Sequence, residues 1–211
     1  MDQRRFISRK NEVVLLNGNV VVKSFKDTKN FDIEYQMLAL LSGFLSPKII
    51  ETKDNSIKME YVKGDLLLDR YLCADTEEGA VLGKMLGNSV EALFCRMQSK
   101  IAFDENFRNY IVCGDSIFRV DFEETKQGKI EEWCAKIVSF AILYSAPFET
   151  KISFINSFIE EVCITRDEFL NLLQEEIVFL SARWGVELNN TDYFFILNDL
   201  MSKWKRQGEK D

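Results

Sequence analysis

The chain has no histidine. That absence excludes Ser-His-Asp and Cys-His catalysis and every His-ligated metal site. Nor does it contain a Cys-x-x-Cys pair. Its five cysteines, at positions 73, 95, 113, 134 and 163, are scattered, most of them in apolar runs. They read as reduced, core-type thiols of a cytosolic protein. No apolar run approaches the length of a membrane span, and the first ten residues, MDQRRFISRK, lack the apolar core of a signal segment. No internal repeat or low-complexity linker interrupts the chain. A net charge of −7, with a pI near 4.9, lacks the basic surplus of a general nucleic-acid binder. Neither a nucleic acid nor a membrane is therefore expected as partner, and the expected location is cytoplasmic.

What is present suffices for a sizeable core. The 211 residues suit one large domain or two small lobes, 46% of them are apolar, and seventeen are phenylalanine. Strand-like runs cover residues 4–8 and 11–16. Asn17-Gly18 gives a hairpin turn, and residues 19–25 give the return strand, with Lys23 on it. Asn30 can cap a helix that ends near Gly43, with Ile33, Met37, Leu40, Leu41 and Phe44 toward one face and Glu34 in its first turns. A second hairpin follows, 48–51 with 56–62, about Asp54-Asn55. A short helix is expected over 66–72 and a longer one from Asp75 or Thr76 to about Lys100. The long helix carries an apolar stripe that includes Val81, Leu82, Leu86, Val90, Leu93 and Met97. Helices are then expected over 130–143, 151–163, 166–182 and 191–206. Among the residues expected to pack that bundle are Phe154, Phe158, Phe169, Phe179, Phe194, Phe195 and Trp204.

Between the long helix and this bundle lies Ile101 to Glu124, IAFDENFRNYIVCGDSIFRVDFEE. Two β-branched and aromatic runs, 110–113 and 117–120, flank Gly114-Asp115. Asp104 and Asn109 enter the first run and Asp121 leaves the second. A hairpin brings its open ends together, so these three oxygen donors are expected to converge. Such a set suits a hard divalent cation and a phosphate-bearing ligand. No other Asp in the chain has an Asn five residues later.

Asp104-x-x-x-x-Asn109 followed by Asp121-Phe122 resembles the catalytic loop and metal-binding turn of the protein-kinase-like superfamily. The variant Asp-Phe-Glu-Glu is closer to aminoglycoside phosphotransferases and small atypical bacterial kinases. The resemblance spans nearly the whole chain. It implies an α+β, bilobal protein-kinase-like fold, with a small antiparallel-sheet lobe over 1–62 and a mostly helical lobe over 63–211. It further implies ATP and Mg²⁺ (or Mn²⁺) as cofactors and a hydroxyl compound as the second substrate. Under it, Lys23 contacts the α- and β-phosphates and Glu34 pairs with Lys23. Asp104 orients the acceptor hydroxyl, while Asn109 and Asp121 hold the metal. Backbone groups around Glu60 and Val62 meet the adenine edge. The bland alternatives are an exposed strand lysine at 23 and a solvated helix glutamate at 34.

The sequence also departs from that pattern. Ala102 stands where the family has histidine, and Asn106 where a lysine is common. No Gly-x-Gly-x-x-Gly covers the phosphates; Arg5, Arg9 or Lys10 are the cations near that place. Arg108 is weighed as a phosphoryl contact against a solvent-facing residue. Only a short segment, residues 123–129, follows Asp121, so the usual platform for a protein substrate is missing, and the expected acceptor is a small hydroxyl compound or an atypical protein partner. Two functions stand side by side: a phosphotransferase acting on a hydroxyl, and a pseudokinase that serves as scaffold or nucleotide sensor. A third reading is an α+β interaction protein that matches the pattern by accident.

Overall fold

The computed structural model describes residues 3–7, 10–16, 18–188 and 192–208, apart from the side chains of 3, 4, 6 and 203–208. Arg9, Asn17, the cap at Asn190 or Thr191 and the Trp204 side chain lie outside this set. The chain divides into two compact units. The first comprises residues 1–68 and 89–129, the second 69–88 and 130–211.

The first unit opens with strands β1 (Gln3–Ile7), β2 (Asn11–Leu16) and β3 (Val20–Phe25), then helix α1 (Thr28–Leu41), then β4 (Ile49–Lys53) and β5 (Ser56–Glu60). They form one antiparallel sheet in the order β1-β2-β3-β5-β4. Successive side chains of a strand point to opposite faces. On β3 this puts Lys23 and Phe25 on the buried side.

Helix α1 packs on β3 and β5. It starts one turn earlier than the sequence implies, because Asp27 rather than Asn30 is the N-cap; the Asp27 carboxylate accepts from the Lys29 amide at 2.9 Å. Ser42, in the left-handed region, closes it. The buried stripe is Glu34, Met37, Leu38 and Leu41, so the inward face is turned relative to the expected one. Phe44 is accordingly exposed, with Arg96 over its ring.

Further along come β6 (Asp65–Leu66), helices α2 (Leu67–Cys73) and α3 (Thr76–Arg96), and β7 (Lys100–Ala102). The long helix stops short of Lys100, because Gln98 and Ser99 both take positive φ and turn the chain into a strand. A 3-10 turn over Phe107–Asn109 leads into β8 (Tyr110–Cys113) and β9 (Ser116–Arg119). These two pair antiparallel about a two-residue turn in which Gly114 has φ +57°. β6 adds to the other edge of β8. The segment after Asp121 forms β10 (Thr125–Gln127), which pairs with β7 and runs straight into the next helix.

The second unit contains α4 (Ile130–Leu143), α5 (Phe148–Glu160), α6 (Arg166–Trp184) and α7 (Tyr193–Gly208). Its core holds Trp133, Phe154, Phe158 and Phe169, all fully buried. Within it, α3 and α5 touch along glycines spaced four apart. A Cβ at Gly83 would lie 2.1 Å from the Phe154 carbonyl oxygen, and one at Gly87 2.6 Å from that of Phe158. Close-packed backbone leaves no room for a methyl group there.

Several expected core residues are on the surface: Val81, Phe179, Phe194 and Phe195. Each sits on a helix whose inward stripe is filled by neighbours, as Ile196 and Leu200 fill that of α7. The cysteines also depart from expectation. Cys134 is buried, Cys113 half-buried, and Cys73, Cys95 and Cys163 are exposed, because their helices and loops turn those positions outward. No helix among the described residues is long and apolar enough to cross a membrane.

Candidate active site

Strand alternation places the Lys23 side chain inside the first unit, 4% exposed, with its Nζ 5.0 Å from the Phe25 ring centroid. The exposed-lysine alternative is thereby excluded. The helical stripe puts Glu34 opposite it, fully buried. Lys23 Nζ is 3.4 Å from Glu34 Oε2, 3.0 Å from Asp121 Oδ1 and 3.7 Å from Glu123 Oε2. Three carboxylates thus share one ammonium. Glu34 Oε2 also accepts the Phe122 amide at 2.7 Å, which ties α1 to the turn after β9.

This arrangement shifts both partners. For Lys23, burial alone would lower the ammonium; Glu34, Asp121 and Glu123 outweigh it and hold it above its ordinary value. For Glu34, burial pushes the carboxyl up to about 7. The pull of Lys23 and the Phe122 amide offsets this only in part, because Asp121 and Glu123 repel the same charge.

The loop from β7 to β8 delivers the other two donors. Asn109 donates through Nδ2 to the Asp104 carbonyl at 3.2 Å, and its own carbonyl accepts the Val120 amide at 2.9 Å. The side chain of Asn106 caps the 3-10 turn at the Arg108 amide, 2.9 Å, which leaves Arg108 pointing outward and exposed. Ala102 is fully buried in β7. Asp104, Asn109 and Asp121 border one small recess together with Arg119, Glu123 and Glu124. The convergence expected from the hairpin is therefore present.

Beside this recess lies a pocket of about 240 Å³ within the same unit. Its walls are apolar: Val13, Val21, Met59, Ile111 and Val120. Asn11, Lys23, Asn109 and Asp121 supply polar groups, and Glu60, Tyr61 and Val62 form one rim. An apolar slot with a few convergent polar groups is the usual form of a small-molecule site. The amides of Glu60 and Tyr61 are engaged within the unit, by the carbonyls of Lys48 and Asn19, both at 3.0 Å. All seven residues singled out in the sequence thus fall in or directly behind one site.

Sequence reasoning missed Asn11, Glu105 and Arg119, and it considered Lys10 only as a cation near the phosphates. Asn11 Nδ2 donates to Glu123 Oε2 at 2.9 Å. Lys10 forms an ion pair with Glu124 and lies 3.8 Å from Glu123. The hydrogen bond to Glu124 dominates and holds the Lys10 ammonium above its ordinary value, against the opposing effect of burial. Lys10 and Asn11, at the entry to β2, are thus tied to the acidic segment after Asp121. Arg5, in contrast, is exposed and spent on Glu12 at 2.6 Å. The remaining pair is Glu105 and Arg119, buried together and bonded at 2.9 and 3.1 Å. A charged residue on the buried phase of a strand, as Arg119 is beside Ile117, was the available signal.

Among the described residues no group of three or more carboxylates and thiols is arranged to hold a metal ion by itself. The donor set fits Mg²⁺ in another way. That ion takes one or two side-chain oxygens and completes its shell with water and phosphate oxygens. The half-buried Asp121 and Asn109 meet that requirement.

No family model matches the chain, and no curated protein matches its sequence. Solved structures do match. A GDP complex of an aminoglycoside 2'-phosphotransferase superimposes with a TM-score of 0.63 at 12% identity, covering 98% of this chain and 92% of that one. A streptomycin–ATP ternary complex of an aminoglycoside phosphotransferase gives 0.59 at 15% identity, covering 88% and 89%. A choline/ethanolamine kinase family protein from Mesorhizobium loti gives 0.56 at 9% identity, covering 98% and 87%. The chain has the protein-kinase-like fold, with a small antiparallel sheet and a helical portion.

Proposed function

We propose that the protein is a phosphotransferase that moves the γ-phosphoryl group of ATP to a hydroxyl of a small molecule. The observation that carries this reading is the convergence of Lys23, Glu34, Asn109 and Asp121 on one pocket, with Asp104 on the adjoining recess. Scattered sites of ordinary surface charge do not bury a lysine among three carboxylates.

In this reading the apolar slot takes the base, and the engaged amides of Glu60 and Tyr61 leave Val62 as the edge donor. Lys23 neutralises the α- and β-phosphates, and Glu34 fixes its direction. Asn109 and Asp121 hold Mg²⁺ (or Mn²⁺), which when bound neutralises charge on the β- and γ-phosphates. Asp104 accepts a hydrogen bond from the acceptor hydroxyl and takes its proton as the new P–O bond forms and ADP leaves. Solved structures of similar fold include proteins named for aminoglycosides and for choline or ethanolamine, and this agrees with a small acceptor. So does the direct run from Asp121 through β10 into α4, which offers no long segment for a protein substrate.

A second reading, a nucleotide sensor without turnover, is favoured by one observation: residues 6–12 hold no glycine, and Lys10 and Asn11 are engaged with Glu124 and Glu123. Turnover, not binding, separates the two. ATP with Mg²⁺ raises apparent stability by about 2.7 kcal/mol at a hundredfold excess over Kd in both cases. Only the phosphotransferase consumes ATP when sugars, aminoglycosides and amino alcohols are supplied. Asp121→Asn is expected to abolish the metal-dependent consumption while leaving the fold intact; parental turnover in that variant refutes the assignment.

A further inference from the structure

Arg119 is a cation in a place built for an apolar side chain. It ends β9 on the buried phase and is 2% exposed. Its Nη1 donates to both carboxylate oxygens of Glu105, at 3.1 and 2.9 Å, and Glu105 is likewise buried. The guanidinium lies 5.2 Å from the centroid of the Tyr110 ring and 5.7 Å from that of Phe122. Its amide donates to the Leu45 carbonyl at 2.9 Å.

The neighbours of this one side chain are not arbitrary. Glu105 directly follows Asp104, Tyr110 follows Asn109, and Phe122 follows Asp121. Arg119 therefore grips the chain beside each of the three oxygen donors. Stability alone does not account for the pair, since replacing a buried ion pair by apolar residues of similar volume is often neutral or stabilising. What charge-assisted hydrogen bonds add over apolar contact is direction. We infer that Glu105 and Arg119 are positioning residues, which hold the Asp104–Asn109 loop in register with Asp121 so that the acceptor and the metal-bound phosphate meet in line. The inference rests on the phosphotransfer reading above.

The test uses the full chain. In the double variant Glu105→Leu/Arg119→Met both charges go together, and Tm is expected to stay at or above the parent value. kcat for metal-dependent ATP consumption is expected to fall about 10²-fold, the usual cost of a misplaced reacting group. KM for ATP should stay within about threefold, because neither Glu105 nor Arg119 lines the apolar pocket. Amide exchange over residues 104–111 should speed up at least tenfold on the scale of local opening. Arg119→Lys, which keeps the charge and loses the fork, is the second variant and should show the same kcat loss with a folded chain. Parental kcat in either folded variant overturns the inference, and so does parental exchange over 104–111. If the unaltered protein consumes no ATP with Mg²⁺ or Mn²⁺, the phosphotransfer reading fails by itself. The exchange rates then decide the positioning claim alone: acceleration supports it and parental protection overturns it.

Discussion

Replacing Glu34 with glutamine separates what this residue does for stability from what it does for the site. Glutamine keeps the shape and can still accept the Phe122 amide, now 2.7 Å away. What disappears is one negative charge, 3.4 Å from Lys23 and fully buried. In the folded chain the Glu34 carboxyl holds its proton up to about 7, against an ordinary value of 4.5. An acid with a raised folded value contributes stability that is fully present below the unfolded value and is lost as pH climbs through the folded one. The loss therefore runs from about pH 4.5 to 7, and at 1.36 kcal/mol per unit it amounts to about 3 kcal/mol.

Glu34→Gln should erase this slope. At pH 5 variant and parent should melt together. At pH 8 the variant should be the more stable by up to about 3 kcal/mol, or roughly 6–12 °C for a chain of this length. Turnover should move the other way, because Lys23 loses the partner that directs it and leans on Asp121, 3.0 Å away. A loss on the order of 10²-fold is expected above pH 7, where the parental glutamate is ionised. The assay is thermal unfolding in matched buffers from pH 5 to 8, together with ATP consumption. A variant that melts below the parent at pH 8 would mean that the Lys23–Glu34 attraction exceeds the cost of burial, and the reasoning fails.

Lys23→Met removes the ammonium from Glu34, Asp121 and Glu123 together. Breaking a buried pair costs about 3–5 kcal/mol, so the melting temperature should drop sharply at pH 8 and less at pH 5, where Glu34 holds its proton; an equal drop at both refutes the shared-cation picture. Gly83→Ala gains about 1 kcal/mol in helix propensity but drives a methyl against the Phe154 carbonyl. A net loss of about 2 kcal/mol is expected from overpacking, seen in chemical denaturation, and a stabilised variant would contradict the close approach of α3 and α5. Lys10→Ala removes the ammonium beside Glu123 and Glu124. If Lys10 also serves arriving phosphates, its loss weakens ATP more than adenosine in calorimetry; equal effects on both ligands would remove it from the phosphate site.

Local patterns in the sequence determined much of this protein. The hairpins about Gly18 and Gly114, the helices of the second unit and the convergence of Asp104, Asn109 and Asp121 follow from turn chemistry, periodicity and the geometry of a hairpin. These are short-range properties, legible because neighbours in sequence are neighbours in space. Only the tertiary structure decided which face of α1 turns inward, and so that Glu34 is buried against Lys23. It also decided that Phe194 and Phe195 stay in solvent and that Glu105 finds Arg119. Periodicity marks a face but not its phase to within one residue. A buried charge is chosen by a partner that may stand nearly a hundred positions away, as Asp121 stands from Lys23. Packing, in which every side chain competes for the same interior volume, resolves both.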